Sequence, residues 1–453
     1  MPYLIRGIFF LALMVALFPG PIAVWSQSTA ASPDTVLTLE RAVQLALIHN
    51  LRVKNAALEV DKTSDRVAVA RTRRLPKLTF EVHGRHHLTR EGYTFEQGVF
   101  GDFPSTGPIP PEDVSIDTND GFTTSVTASL TQPLSHLYRI GLGIKHMQVT
   151  EKMILQELRA QQQTTANDVK QIYYKILQVE NARTSTEETL TFLRELDREV
   201  TNDVKQGKAL TADSLEIQAR LAKEEHKALV QRNTLASHQE RLNHLLGRDI
   251  NTPFRVHPVP DLAFSEVDLA AAQALAMTQR PEIKETELKV QKSKYAKKIT
   301  QSEYIPELSF TIRYSSIFGV EFVPRDVATV GLLLRWEFFD WGRKQHKLDE
   351  DLKAILQADN DVRQAKSQVA LEVNNRLRKL QEAQALMRAD QLAQVAAREH
   401  LRVVRNEYDQ DVVLLRDLLQ AQASMSDANN RYERALLDFW EARANLEKAL
   451  GEI

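Results

Sequence analysis

The sequence predicts a mainly α-helical chain with a membrane β-barrel: a duplicated unit that combines long coiled-coil helices with four β-strands. Three observations lead to this prediction: an internal repeat, long stretches without helix-breaking residues, and short segments in which apolar and polar residues alternate. The composition agrees with long helices, because the 453 residues are 43% hydrophobic but include only 16 glycines and 16 prolines. The net charge of −2 provides no basic field for nucleic acid, and the absence of cysteine excludes disulfides and thiol chemistry.

The internal repeat has two offsets. The segment around Pro76 returns around Pro306, an offset of 306 − 76 = 230, whereas Arg139 matches Arg343, an offset of 343 − 139 = 204. The difference of 230 − 204 = 26 residues therefore falls between the two halves of each repeat. Each unit reads helix, strand, loop, strand, long helix, turn and helix. We expect a first structural repeat over 27–247, a linker over 248–266 and a second repeat over 267–453.

The N-terminus indicates export. Arg6 precedes an apolar run from Ile8 to Phe18, which is followed by proline, glycine and small residues, the pattern of a secretory signal peptide. The run is shorter than the roughly 20 apolar residues that a transmembrane helix needs, which disfavours the alternative of a membrane anchor. We expect a signal peptide over 1–26, with cleavage after Ser26 or after Ala31.

Alternating segments predict strands with one apolar face. Leu332, Leu334 and Trp336 belong to a segment in which apolar residues alternate with small or charged ones, broken only by Leu333, and three other segments show the same period of two. Strands of about ten residues with terminal aromatic residues are typical of outer-membrane barrels. We therefore expect these three side chains to face lipid and Arg335 to face the lumen; the edge of a soluble β-sandwich is the alternative. The predicted strands lie near 76–87, 121–133, 306–316 and 327–339.

Four strands per chain cannot close a membrane barrel. Barrels need at least about eight strands, because open sheet edges are not tolerated in lipid. Other copies of the chain must complete the barrel, and three copies would supply 3 × 4 = 12 strands. At this point the sequence leaves two or four copies open.

Most of the remaining chain is predicted to be helical. The segments 139–206 and 343–410 carry almost no glycine or proline, and some 65 helical residues span roughly 100 Å. The returning helices, near 213–247 and 413–451, are shorter. We expect 38–74 and 267–304 to stack on them end to end.

The last helix shows its packing face, and prolines mark the ends of the helices. Two rows repeat every seven residues, which indicates an a/d seam with one small and one large position; they are Ala421, Ala428, Ala435, Ala442 and Ala449, and Leu418, Met425, Tyr432, Phe439 and Leu446. Pro76 and Pro306 lie where a helix should give way to a strand, and Pro133 lies at the opposite transition. Proline lacks an amide donor and pushes the residue before it out of the α region.

These motifs resemble a known family. The pattern Leu-x-x-Ala-x-x-x-Ala-Leu-x-x-Asn ahead of Leu-Pro-x-Leu, doubled across the chain, is similar to the TolC-type outer-membrane efflux proteins. The segments Asn202 to Asp213 and Tyr408 to Gln422 resemble the two helix-tip motifs of that family. The resemblance implies a homotrimer with a twelve-stranded barrel in the outer membrane and a helical tunnel through the periplasm. It also implies docking on a periplasmic adaptor, or membrane fusion protein, coupled to an inner-membrane pump, in a tripartite efflux or type I secretion system.

The resemblance directs attention to five tip residues. Gly207 permits the positive φ of a tight interhelical turn, whereas the second repeat has Asp411 where the family usually has glycine. Asp213 and Asp417 match acidic positions near the family's periplasmic constriction, although helix capping explains them equally well. Tyr408 is placed to brace neighbouring helices through its hydroxyl; a packing role for its ring alone is the alternative.

No catalytic constellation is found, so we expect no enzyme activity, no cofactor and no metal. His83, His86 and His87 fit exposed loop histidines better than metal ligands. The extra loop near 92–120 is interpreted as a surface loop of the barrel. The alternative to an export duct is a structural or adhesive exported coiled-coil protein with a small β head, and neither reading identifies a cargo.

Overall fold

The computed structural model describes residues 36–89, 92–117, 122–208, 210–258, 268–320, 323–410 and 412–453. The expected signal peptide over 1–26, part of the expected linker, and Asp411 lie outside the described residues. In chain order the first repeat contains β1 (Val36–Leu37), α1 (Leu39–His49), α2 (Leu51–Thr72), β2 (Lys77–His86), β3 (Gly92–Phe95), β4 (Asp102–Phe103), β5 (Gly107–Pro108), β6 (Val114–Asp117), β7 (Phe122–Pro133), α3 (His136–Lys205) and α4 (Thr211–Leu245). After β8 (Arg255–Val256), the second repeat contains α5 (Leu269–Gln279), α6 (Pro281–Gln301), a 3₁₀ turn (Ser302–Tyr304), β9 (Glu307–Phe318), β10 (Asp326–Arg335), α7 (Arg343–Tyr408) and α8 (Leu415–Leu450).

Strands β2, β7, β9 and β10 form one antiparallel sheet in the order β10-β9-β7-β2. Each repeat contributes one hairpin, and β7 pairs with β9 to join the two hairpins. The strand predicted to extend to 339 was wrong at its end, because β10 stops at Arg335. Arg335 pairs with Glu307, and the residue before Glu307 is Pro306, which has no amide to extend the ladder. The loop expected over 92–120 carries two small hairpins, β3–β6 and β4–β5, within its described part.

The four strands align so that the apolar face of each coincides with that of its neighbours. Across the sheet, Val330 pairs with Ile312, Ile312 with Leu130, and Leu130 with Leu78. The residue before Val330 in β10 lies in a row of the opposite character, since Thr329 pairs with Arg313 and Arg313 with Ser129. The sheet therefore has one apolar and one polar face over its whole width, as the period of two predicts.

The long helices run from the sheet to the far end of the molecule. Helix α3 has 70 residues and α7 has 66, which correspond to roughly 100 Å each. Side chains of α3 contact α8 in antiparallel order, from Gln163 with the Gly451 carbonyl to Thr189 with Gln422. The α3–α4 and α7–α8 turns, hereafter the tips, consequently lie at the opposite end of α3 and α7 from the sheet. None of the described helices is both long and apolar enough to cross a membrane.

The segments 38–74 and 267–304 are not single helices, which corrects the prediction. The first breaks at Asn50, whose side chain caps α2 by accepting from the Arg52 amide at 2.9 Å. The second breaks at Arg280, because Pro281 occupies the first helical position of α6 and disfavours helical geometry at the residue before it.

The shorter helices stack end to end at these two breaks. The Asn50 Nδ2 donates to the carbonyl of Leu245, the last residue of α4, at 2.9 Å. In the second repeat the Arg280 guanidinium donates to the carbonyl of Lys448 in the last turn of α8 at 3.3 Å. Gly247 permits the close approach in the first repeat, because a Cβ there would collide with the carbonyl of His49. Each break thus supplies a donor to carbonyls that a helix end leaves unsatisfied.

The main core lies around the stacked helix ends. Tyr173 of α3 is fully buried there, beside the parallel pair β1–β8. Its hydroxyl donates to the Leu37 carbonyl at 2.8 Å and accepts from the His257 amide at 2.9 Å. The small row of the α8 seam is buried at four of its five positions, which are Ala421, Ala428, Ala435 and Ala449.

Candidate functional site

The first tip is a glycine turn. Gly207 has φ of 76°, its amide donates to the Val204 carbonyl at 3.0 Å, and the Lys208 amide donates to the Asp203 carbonyl at 2.8 Å. These two bonds form a Schellman motif, which satisfies the last carbonyls of α3 and reverses the chain. The structure therefore assigns to Gly207 the left-handed position for which only glycine carries no steric cost.

The second tip keeps the closing hydrogen bond of the first. The Val412 amide donates to the Glu407 carbonyl at 2.9 Å, and these residues are 204 positions beyond Lys208 and Asp203. Helix α7 nevertheless ends one residue earlier than α3. Its last residue, Tyr408, corresponds to Val204, whereas α3 continues to Lys205. The backbone on either side of Asp411 thus retains the turn without the glycine of the first repeat.

Asp213 and Asp417 cap the helices that follow the tips. The Asp213 carboxylate accepts from the Leu210 amide at 3.3 Å, and the Asp417 carboxylate accepts from the Leu414 amide at 3.2 Å. Both are at the third position of their helix, where a carboxylate also interacts favourably with the helix dipole. Both side chains remain partly exposed, and Arg416 Nε lies 3.5 Å from Asp417 Oδ1.

Tyr408 packs against the apolar cluster beneath the tips. The cluster contains Leu193, Leu196, Val404 and Leu418, and the Tyr408 ring lies against it, half-buried. Burial raises the pKa of the Tyr408 phenol above its ordinary value, and the carboxylates of Glu199 and Asp203 raise this pKa further. Within the described part of the chain, the Tyr408 hydroxyl has no hydrogen-bond partner.

The tips also expose apolar side chains that the sequence analysis did not select. Leu210, Val412 and Leu414 are 70%, 68% and 64% exposed. Leu210 and Leu414 are equivalent residues of the two repeats, separated by 414 − 210 = 204. Apolar residues inside two polar turns are a signal that could have identified this surface.

The helix–sheet junction lies at the other end of the long helices. Pro76 and Pro306 each directly precede a strand. Pro133 is the last residue of β7 and lies two residues before Ser135, the N-cap of α3. Glu303, between α6 and β9, binds Arg139 of the first repeat and Arg343 of the second. The motif analysis missed Glu303, because nothing in its local sequence indicates that two distant arginines meet there.

The apolar face of the sheet is largely exposed in the protomer. Leu332 and Leu334 lie on this face in β10 and are 67% and 62% exposed. Trp336, expected within the strand, lies one residue beyond its end and is also exposed. Its ring forms an edge contact with Phe338, and Phe339 forms another with Trp341.

The described residues contain no group of three or more histidine, cysteine, aspartate or glutamate side chains that could hold a metal ion. His83 contacts Glu81 at 3.5 Å, and His87 contacts the hydroxyl of Thr123 at 3.0 Å.

A family model described as outer membrane efflux protein matches residues 42–248 and 260–452, one match for each repeat. The chain belongs to the outer membrane efflux protein family. Three solved structures have a similar fold. These are the outer membrane channel CmeC of Campylobacter jejuni (14% identity, TM-score 0.74, covering 95% of this chain and 90% of that chain), the open state of the MtrE outer membrane channel of Neisseria gonorrhoeae (17%, 0.69, 91% and 89%) and CusC (16%, 0.76, 96% and 97%). No curated protein sequence matches the chain significantly.

Family membership decides between the two function classes. A member of the outer membrane efflux protein family is an outer-membrane channel that extends into the periplasm, so this protein is an efflux channel rather than a structural or adhesive coiled-coil protein. The mainly helical, duplicated architecture with its small sheet is confirmed.

Proposed function

We propose that the protein is the exit duct of a tripartite efflux pump or of a type I secretion system, and that it acts as a homotrimer. One observation carries this proposal: a four-stranded sheet with an exposed apolar face ends at β10 and β2, and the outer edges of these two strands have no partner in the described part of the chain. Unpaired strand edges and exposed apolar faces are costly in water, and unpaired edges are also costly in lipid.

The strand directions support closure by other copies of the chain. Neighbouring strands are antiparallel throughout the order β10-β9-β7-β2, so the two edge strands run in opposite directions. The β2 edge of one protomer can therefore continue the antiparallel ladder at the β10 edge of another. Three protomers give 3 × 4 = 12 strands with the apolar faces outward and the polar faces around a lumen.

Adaptor docking is supported by the tips. Leu210, Val412 and Leu414 are exposed at the end of the molecule farthest from the sheet, in turns held by backbone hydrogen bonds. In a trimer the two tips of each protomer present six such turns. An apolar patch on a rigid, polar-rimmed turn suits the tips of another helical protein, here a periplasmic adaptor coupled to an inner-membrane pump.

The duct is proposed to be passive. Transport energy then comes from the inner-membrane pump, and the wall contacts its cargo only in passing. Lipid of the outer membrane is the second partner, at Leu332, Leu334 and the neighbouring residues of the apolar face.

Single-channel recording in a planar bilayer tests the duct, and cross-linking to the adaptor tests the partner. The purified protein should conduct as a trimer, whereas a sealed helical rod gives no current.

Photo-cross-linkers at Leu210 and at Leu414 should capture a periplasmic adaptor, and a cross-linker at the exposed Leu392 on α7, away from the tips, is the matched control. Identification of the pump that copurifies separates drug or metal efflux from polypeptide secretion. Capture at Leu392 alone would contradict tip docking.

A further inference from the structure

The polar face of the sheet carries an excess of positive charge. Its charged residues, in the described strands, are the cations Lys77, Arg85, Arg313 and Arg335 and the acids Glu81 and Glu307, together with His83. Four cations against two carboxylates leave a surplus of 4 − 2 = 2 positive charges per protomer.

Ion pairing with arginine removes one of the two carboxylates, Glu307, from this count. Glu307 contacts Arg335 at 3.9 Å and also contacts Arg139 at 3.8 Å, from the helix below the sheet. Glu81 lies 3.5 Å from His83, which is an ion pair only when His83 is protonated, so Glu81 stays in the count. Within the described part of the chain, Lys77, Arg85 and Arg313 form no ion pair, and all three side chains are exposed.

Hydroxyl groups surround these three cations. Arg313 lies between Thr329 and Ser129, and Ser129 is followed across the sheet by Thr79. Lys77 lies beside Thr131, and Arg85 lies beside Thr123. Hydroxyls donate hydrogen bonds to anions, so the face combines net positive charge with neutral donors.

The opposite face has a different character. It carries the apolar rows that include Val330, Ile312 and Leu130, and Asp326, at the first position of β10, is its one carboxylate in the described strands. Asp326 is hydrogen-bonded to the Tyr314 hydroxyl at 2.7 Å. The positive charge is therefore concentrated on one face and is not a general property of the sheet.

We propose that the sheet forms an anion-accepting passage, and that the cargo class includes molecules carrying negative charge. The inference rests on the proposed function, which turns the polar face of three protomers toward one lumen. Nine unpaired cations, 3 × 3, and three Glu81 carboxylates then line that lumen at successive levels along the strands, a net of 9 − 3 = 6 positive charges. Rings of fixed charge in a pore attract ions of the opposite sign and repel those of the same sign.

The tips and the sheet then act on opposite charges at opposite ends of the duct. Asp213 and Asp417 are acidic at the tips, and α3 separates them from the sheet by roughly 100 Å. This distance is about ten times the screening length at ordinary ionic strength, so the two regions act independently. An anion added from the side of the sheet meets the cations before it meets the tips.

One-sided block by inorganic tripolyphosphate tests the proposal with the full-length channel in a planar bilayer. Tripolyphosphate added on the side of the sheet should reduce the current of the wild-type channel. The triple variant Lys77→Gln, Arg85→Gln, Arg313→Gln should need at least about fivefold more tripolyphosphate for half-block. Glu81→Gln is the matched control of opposite sign, because removing a carboxylate from the same face should strengthen the block.

The outcomes separate this inference from the proposed function. A wild-type protein that gives no current overturns the proposed function, and the inference with it. A conducting channel with equal half-block in the wild type and the triple variant overturns the inference alone. If the triple variant does not assemble, Arg313→Gln and Glu81→Gln decide: opposite shifts support the passage, and unchanged or parallel shifts overturn it.

Discussion

Arg139 and Arg343, equivalent residues of the two repeats, contact opposite oxygens of the same carboxylate, that of Glu303. The Arg139 Nη2 lies 3.4 Å from Glu303 Oε1, and the Arg343 Nη1 lies 3.8 Å from Glu303 Oε2. Lys347 also binds Oε1, and the Glu303 side chain is only 10% exposed. One largely buried acid therefore connects the long helices of both repeats directly below the sheet.

We expect Glu303→Gln to destabilise the protein. The substitution leaves three cations around a neutral amide, and a hydrogen bond to a charged group typically contributes about 1.5–3 kcal/mol. Thermal denaturation of the purified protein measures the loss. Glu287→Gln is the control, because Glu287 pairs with Lys366 on the exposed helix surface and such pairs contribute little. Equal losses for both variants would contradict the junction's role.

The orientation of the sheet predicts opposite responses at two nearby positions of β10. Leu332→Arg should cost about 2–4 kcal/mol, because it introduces a cation on the lipid face. Arg335→Ser should be tolerated, because Arg335 lies on the polar face and contacts Glu307 only at 3.9 Å. The yield of heat-resistant trimer in outer-membrane fractions measures both. Equal yields would be incompatible with this orientation.

The α8 seam predicts a packing effect at Ala435, which is 1% exposed. Ala435→Leu overfills the small row of the seam, and overpacking typically costs about 1–3 kcal/mol. Arg431→Leu should cost less, since the Arg431 side chain is 60% exposed. Thermal melts of the two variants rank them, and the reverse ranking would refute the heptad assignment.

The acidic tips predict the ion preference of the resting channel. Three protomers would present six carboxylates from Asp213 and Asp417 near a narrow entrance, which should favour cations. Replacing both by asparagine should shrink this preference, measured as the reversal potential across a salt gradient. An unchanged reversal potential would limit the two carboxylates to capping.

Tyr408→Phe should raise conductance only if the Tyr408 hydroxyl binds a neighbouring protomer; unchanged conductance would indicate that packing against Leu193 and Val404 is its whole role.

Sequence patterns predicted the faces of the sheet better than the ends of its strands. The period of two identified the face that carries Leu332, because side chains alternate whenever the backbone is extended. The same alternation continues through Trp336, but β10 ends at Arg335 because a strand needs a partner and Pro306 ends the ladder. Alternation is a local property, whereas pairing depends on another segment.

The helix breaks were missed for a similar reason. Asn50 is compatible with a helix interior in sequence, and its role as a cap and as a donor to Leu245 depends on a helix end that arrives from 195 residues away. Arg280 was less ambiguous, because Pro281 follows it and proline is favoured at the start of a helix. At the tips, Gly207 was predicted from its own backbone preference, whereas the exposure of Leu210 and Leu414 follows only from the folded turn.

The most direct test of the duct uses two adjacent residues of β10. Thr329 lies on the polar face and Val330 on the apolar face, and the chain has no cysteine, so single cysteines can be introduced without background. A charged, membrane-impermeant methanethiosulfonate reagent should alter the single-channel conductance of Thr329→Cys and leave that of Val330→Cys unchanged. Modification that changes the current through Val330→Cys but not through Thr329→Cys, or a purified protein that conducts in neither variant, would contradict a lumen lined by the polar face.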